Sequence, residues 1–171
     1  MKISKSFKIY IHIILVFLVS QSLNSTEDFS KNIVIHEKPL IIKELKFKDF
    51  NLQDVDLTNK KGNIMIINFW ASWCLPCRQE HVLLTQLSKE KNLKLLGVNF
   101  KDKKKQAEMF LNELGNPYDF LTKDELGKSS VKFGVYGIPE SILVNKDLMI
   151  LKKFVGPLST EDYDSIVEII N

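Results

Sequence analysis

The chain has 171 residues, of which 44% are hydrophobic, enough for one domain with a real core and an extension. Its 24 basic and 21 acidic residues leave a net charge of only +3. The densest basic run, Lys101 to Lys105, has no interleaved aromatics and is expected to be a solvated loop and helix start, so no nucleic-acid partner is expected.

In chain order, Lys2, Lys5 and Lys8 precede an apolar run from Ile9 to Val19 and then a polar stretch from Ser20 to Thr26. This is the three-part pattern of an export signal. Counted generously, from Phe7 to Leu23, the run has 17 residues, at the lower edge for crossing a bilayer. Ser20 and Ser22 are small enough for a peptidase, but no clear Ala-x-Ala site is present. Residues 1–25 are therefore expected to be either a signal peptide or an uncleaved membrane anchor, with the basic flank inside and the remainder exported.

Residues 26–45 mix charged and apolar side chains without a sustained period and contain Pro39, as a linker does. From residue 46 to 171 the pattern is that of a folded domain. Phe47, Phe50, Leu52, Val55 and Leu57 alternate loosely with polar residues, predicting an N-terminal hairpin that ends at the Asn59–Gly62 turn. Ile64 to Trp70 is apolar except for Asn68, the signature of a central strand buried on both faces. A helix follows, with Leu83, Leu84 and Leu87 on one face, fading near Lys91-Asn92.

Leu93 to Asn99 predicts another strand. Asp102 is placed to cap a second helix carrying Ala107, Phe110, Leu111 and Leu114, stopped by Gly115-Asn-Pro117. Strand, helix, strand, helix requires parallel pairing through right-handed crossovers. Residues 118–133 predict a short strand, a turn and a short helix. A loop over Gly134 to Glu140 leads to an antiparallel hairpin turning at Asn145–Asp147. A last helix begins at Ser159 or Thr160, with Tyr163, Ile166, Val167 and Ile170 at helical spacing.

The chemistry concentrates where the first apolar strand meets its helix. Cys74 falls at the first helical turn, where unpaired N–H groups and the macrodipole stabilise a thiolate, and Cys77 lies one turn further in, more buried. A solvent-facing thiolate with a second thiol behind it is suited to attack a disulfide and then resolve the mixed disulfide. A bridge between these two cysteines would close too small a loop to stabilise the fold much, so redox chemistry is the better reason for it. Pro76 suits the first turn because it has no N–H to leave unpaired. Trp73 is expected at an exposed apolar rim and Trp70 in the core. With His81, the cysteines make only three zinc ligands, and Arg78 stands where a haem attachment site needs histidine.

Four blocks, Trp73-Cys-Leu-Pro-Cys-Arg-Gln-Glu-His81, Leu96-Gly-Val-Asn-Phe-Lys-Asp102, Leu114-Gly-Asn-Pro-Tyr118 and Gly134-Val-Tyr-Gly-Ile-Pro-Glu140, resemble the CcmG/DsbE family in order and spacing. The resemblance covers about residues 46–171. It implies an α/β, thioredoxin-like fold, a central mixed sheet flanked by helices, here with the N-terminal hairpin as an extension. It also implies that Cys74 is the nucleophile and Cys77 the resolving thiol of a redox disulfide. Pro139 matches the family's cis-proline, which would leave the Ile138 backbone free to pair with an extended substrate.

Glu80 and Glu140 match the acidic residues of the family's groove. Glu80 lies three residues beyond Cys77 on the same helical face and is the candidate to take the Cys77 proton, because Asn68 replaces the buried Asp of thioredoxin and cannot titrate. The plainer alternatives are a solvated helix carboxylate for Glu80 and a polar strand start for Glu140. The expected site is thus Cys74, Cys77 and Glu80, with Trp73, Pro76, Ile138, Pro139 and Glu140 contacting substrate.

The implied function is a periplasmic thiol:disulfide reductase of cytochrome c maturation, tethered by its N-terminal segment or released by cleavage. Its partners would be apocytochrome c, the maturation proteins that handle it, and a membrane thiol transporter as electron donor. No metal or cofactor is expected, and a monomer is the default. Two alternatives stand beside this reading: a broader TlpA- or ResA-like reductase, and a module that binds apocytochrome without turnover.

Overall fold

A computed structural model describes residues 47–51, 53–56 and 62–171. The export segment, the linker and the Asn59–Lys61 part of the predicted turn lie outside the described residues. No helix among the described residues is long and apolar enough to cross a membrane.

One seven-stranded mixed sheet runs in the order β2-β1-β5-β4-β3-β6-β7. The strands are β1 (Phe47–Asp49), β2 (Asp54–Val55), β3 (Ile64–Trp70), β4 (Leu93–Phe100), β5 (Phe120–Asp124), β6 (Glu140–Val144) and β7 (Ile150–Val155). The helices are α1 (Leu75–Leu87), α2 (Lys104–Leu114), α3 (Lys128–Lys132) and α4 (Thr160–Ile170). β3, β4 and β5 are parallel, as the strand–helix alternation requires. The predicted N-terminal hairpin is β1–β2, attached antiparallel to β5, and the C-terminal hairpin is β6–β7, attached antiparallel to β3.

The period of two along β3 divides the core between the two faces. Ile66 and Trp70 join a cluster built with Leu84 and Leu87 of α1, Phe110 and Leu111 of α2, and Ile166 and Ile170 of α4. Met65, Ile67 and Phe69 join a second cluster with Phe133 and Val135, from the end of α3 and the loop after it. α1 and α2 contribute to the cluster on one face, whereas the end of α3 and the loop after it contribute to the cluster on the other.

Three local expectations are corrected. α1 ends at Leu87 rather than near Lys91, because Lys89 and Glu90 donate to the carbonyls three residues back and tighten the chain into turns that feed β4. Asp102 does not cap α2, whose N-cap is Lys103 without a side-chain bond. Its carboxylate instead accepts the Ser72 backbone N–H at 2.6 Å, the Ser72 hydroxyl at 2.9 Å, the Asn99 amide at 3.0 Å and the Lys103 N–H at 2.8 Å. Four donors reach it because the β3–α1 and β4–α2 loops leave neighbouring parallel strands at the same end of the sheet. Ser159 does cap α4, in a reciprocal capping box with Asp162.

Candidate redox-active site

The third correction concerns the first cysteine. Cys74 is the N-cap of α1, and it is 5% exposed against 2% for Cys77, so both sulfurs are buried rather than the first facing solvent. They form a disulfide, and the Cys77 backbone N–H points at Cys74 Sγ at 3.1 Å. Cys74 belongs to the buried cluster that also holds Trp70 and Ala71. After reduction the same N–H and the helix N-terminus favour the Cys74 thiolate. Pro76 sits in the first turn of α1 as expected and is exposed.

The apolar rim is Trp73, 60% exposed, whose indole Nε1–H donates to the Lys101 carbonyl at 3.3 Å. Leu75 and Tyr136 are also exposed. Trp70 is core, packed between the rings of Phe110 and Tyr118.

Pro139 follows a cis Ile138–Pro139 peptide bond. β6 pairs with β3 at Phe69–Glu140, so Pro139 lies one step further, toward the end of β3 from which the cysteine loop departs. Ile138 is half-buried and packs against the cluster that contains both cysteines. Among the described residues, no backbone hydrogen bond engages Ile138, whereas the Pro139 carbonyl accepts the Gly156 N–H at 3.1 Å. Glu140 is buried, with one oxygen 2.7 Å from Lys153 Nζ and the other accepting the Tyr136 and Gly137 N–H groups at 3.3 and 3.4 Å. It begins β6 and ties the proline loop to β7.

Glu80 is not a solvated helix carboxylate. It is 1% exposed, and each oxygen accepts one donor: the Asn68 side-chain amide at 2.8 Å and the Leu158 backbone N–H at 2.8 Å. Burial pushes its pKa up to about 7, while the Leu158 and Asn68 donors pull it down. Glu80 thus titrates near neutrality. His81, next along the helix, is buried with Nε2 2.9 Å from the Gly115 carbonyl, and burial pushes its pKa below the ordinary value.

Asn68 holds further partners that the sequence did not single out as functional. Its amide also donates to Ser141 Oγ at 3.0 Å, directly across the β3–β6 pair, and its carbonyl accepts the Tyr118 hydroxyl at 2.8 Å. Tyr118 is buried, and its pKa is held well above 10 by burial first and then by the Glu80 charge. The one visible signal for this network was a polar residue in an otherwise apolar central strand.

Comparison with known proteins agrees with this architecture. The model of the redoxin family matches residues 24–170. The chain is 50% identical over 97 residues to the thiol:disulfide interchange protein CycY of Rhizobium leguminosarum, covering 57% of this chain and 52% of that one. It is 44% identical over 119 residues to HelX of Rhodobacter capsulatus, covering 70% and 62%, so the match spans little more than half the length of these two relatives. With the thiol:disulfide interchange protein DsbE of Haemophilus influenzae it shares 31% identity over 156 residues, covering 88% of this chain and 84% of that one. A crystal structure assigned as DsbE of Chlorobium tepidum superposes with a TM-score of 0.61 at 29% identity, covering 72% of this chain and 88% of the other. With a cysteine pair at the N-terminus of α1 and a cis-proline before β6 on a thioredoxin-like sheet, the chain belongs to the redoxin family and, within it, to the DsbE thiol:disulfide interchange proteins.

Proposed function

We propose that this protein is an exported thiol:disulfide oxidoreductase that works as a reductant in cytochrome c maturation. The observation that carries the reading is the Cys74–Cys77 disulfide at the α1 N-terminus, in a chain of the DsbE family, with a buried carboxylate further along the same helix. Its substrate is the Cys-x-x-Cys-His disulfide of apocytochrome c, or that of a maturation protein handling it. Haem attaches to free thiols, so this disulfide has to be reduced.

The reduced Cys74 thiolate attacks one sulfur of the substrate disulfide, and the other substrate sulfur leaves as a thiolate. Cys77 then gives its proton to the Glu80 carboxylate and attacks Cys74 Sγ. The mixed disulfide breaks, the substrate sulfur leaves with its electron pair, and the Cys74–Cys77 bond forms. Substrate ends with two thiols and the enzyme with one disulfide. A membrane thiol transporter returns the electrons, and the segment over residues 1–25 exports the domain and tethers it to the inner membrane or is cleaved. The Ile138 backbone, unpaired among the described residues, the Trp73 rim and the exposed Pro76 support a groove that takes an extended peptide as an added strand beside Pro139, with Glu140 fixing its wall.

The test is a trap. Cys77→Ser retains the nucleophile and removes the resolving thiol, so partners stay disulfide-linked to Cys74 and are identified by mass spectrometry. Capture of apocytochrome c or its handling protein is the expected result. Capture of a broad set of unrelated exported proteins would instead make this a general reductase.

A further inference from the structure

Glu80 answers to an oriented amide, and that amide answers to a tyrosine. An ionised carboxylate only accepts hydrogen bonds, so Asn68 must present its NH2 group to Glu80. The second amide hydrogen goes to Ser141 Oγ, and the amide oxygen is left facing Tyr118. The Tyr118 hydroxyl is buried and donates to that oxygen, its one hydrogen-bond partner among the described residues. If the amide turned over, Glu80 could keep a hydrogen bond to it only as the protonated acid, and the Tyr118 hydroxyl hydrogen would lose its acceptor. The reversed orientation of Asn68 is thereby coupled to protonated Glu80, whereas the orientation with NH2 toward Glu80 serves the carboxylate and the acid alike.

We propose that Tyr118 is a positioning residue that locks the Asn68 amide with its NH2 group toward Glu80, and so keeps Glu80 available as the proton acceptor for Cys77. The inference rests on the Glu80 role given above. Other groups near Glu80 do not supply this control. Leu158 offers a backbone N–H that cannot turn over, Arg78 is drawn outward onto Glu113, and His81 faces the Gly115 carbonyl. Tyr118 owes its place to Gly97, since a Cβ there would lie 2.8 Å from the Tyr118 ring, and to stacking on Trp70 at 5.7 Å.

The experiment follows resolution of a mixed disulfide as a function of pH. Reduced protein is loaded at Cys74 with a thionitrobenzoate group, and its release reports attack by Cys77. Wild type should show a rate step at the Glu80 titration, and Glu80→Gln should lack it. Tyr118→Phe should keep the step but move it up by about 0.5–1 pH unit, a three- to ten-fold slower release on the acid side, as expected for the loss of one hydrogen bond.

A step in Tyr118→Phe that stays at the wild-type pH overturns the lock. A Glu80→Gln profile identical to wild type overturns the Glu80 role itself, so the two failures are distinguishable. Should Tyr118→Phe fail to fold, NMR of the wild-type protein decides. The Asn68 side-chain amide and the Glu80 carboxyl carbon should titrate with one midpoint, and an Asn68 signal indifferent to that titration overturns the coupling.

Discussion

Asn68 on β3 and Glu80 on α1, twelve residues apart in the chain, meet at 2.8 Å in the core. The amide stands in an otherwise apolar central strand, and the carboxylate it meets lies on the helix that the cysteines begin. That carboxylate is buried in the core. Its folded pKa of about 7 lies above the ordinary 4.5, so the native state holds the proton more tightly than the unfolded chain does.

This contribution to stability is full below pH 4.5 and is lost as pH rises to about 7, a change of about 3 kcal/mol. Urea unfolding at several pH values should show it, and Glu80→Gln should abolish that part of the slope. His81, with its lowered pKa, contributes the opposite trend in both proteins, so the difference between the two curves isolates Glu80. Parallel curves for wild type and variant would contradict a buried, titrating Glu80.

Gly97→Ala tests the seat of Tyr118. The added methyl would lie 2.8 Å from the Tyr118 ring carbons in a packed core. A loss of about 1–3 kcal/mol is expected in chemical denaturation, with altered near-ultraviolet dichroism from the Trp70–Tyr118 stack. Unchanged stability and spectrum would mean that Tyr118 does not pack on β4 in this way.

Asp102→Ala tests the tie between the β3–α1 and β4–α2 loops. The substitution removes four hydrogen bonds to one carboxylate, two of them from Ser72. It should lower stability by about 1–3 kcal/mol and shift the fluorescence of Trp73, which is held to Lys101 in the adjoining loop. Asp102→Asn, which keeps an acceptor, should recover part of the loss.

Trp73→Ala separates rim from core. At 60% exposure the side chain adds little to the fold, and a stability change within about 0.5 kcal/mol is expected. Reduction of a peptide disulfide should slow while reduction of a small disulfide such as oxidised glutathione is unaffected. Equal slowing of both would place Trp73 in the chemistry rather than at the docking rim.

What could be read from the chain follows the range of the interactions involved. The seven strands and their helices announce themselves locally, through the apolar run Ile64–Trp70, the helical spacing of Ala107, Phe110 and Leu111, and the Ser159 cap. The disulfide, three residues apart, was equally legible. Asn68 stood out, but its partners did not, because Tyr118 lies 50 residues away, Ser141 lies 73 away, and Leu158 reaches Glu80 across 78. Only the strand order brings them together. Asp102 misled for a related reason: a helix-start carboxylate looks like a cap, yet the donors on the neighbouring loop outcompete the helix it precedes. The burial of Cys74 depends on packing that no local pattern encodes.

The most direct measurement mixes the reduced protein with an oxidised Cys-x-x-Cys-His peptide and counts disulfides in both by mass spectrometry. A reductant of apocytochrome should leave the peptide with two thiols and the protein with the Cys74–Cys77 bond. If the peptide stays oxidised, and the oxidised protein instead makes a disulfide in the reduced peptide, electrons flow the other way and the proposed function is wrong.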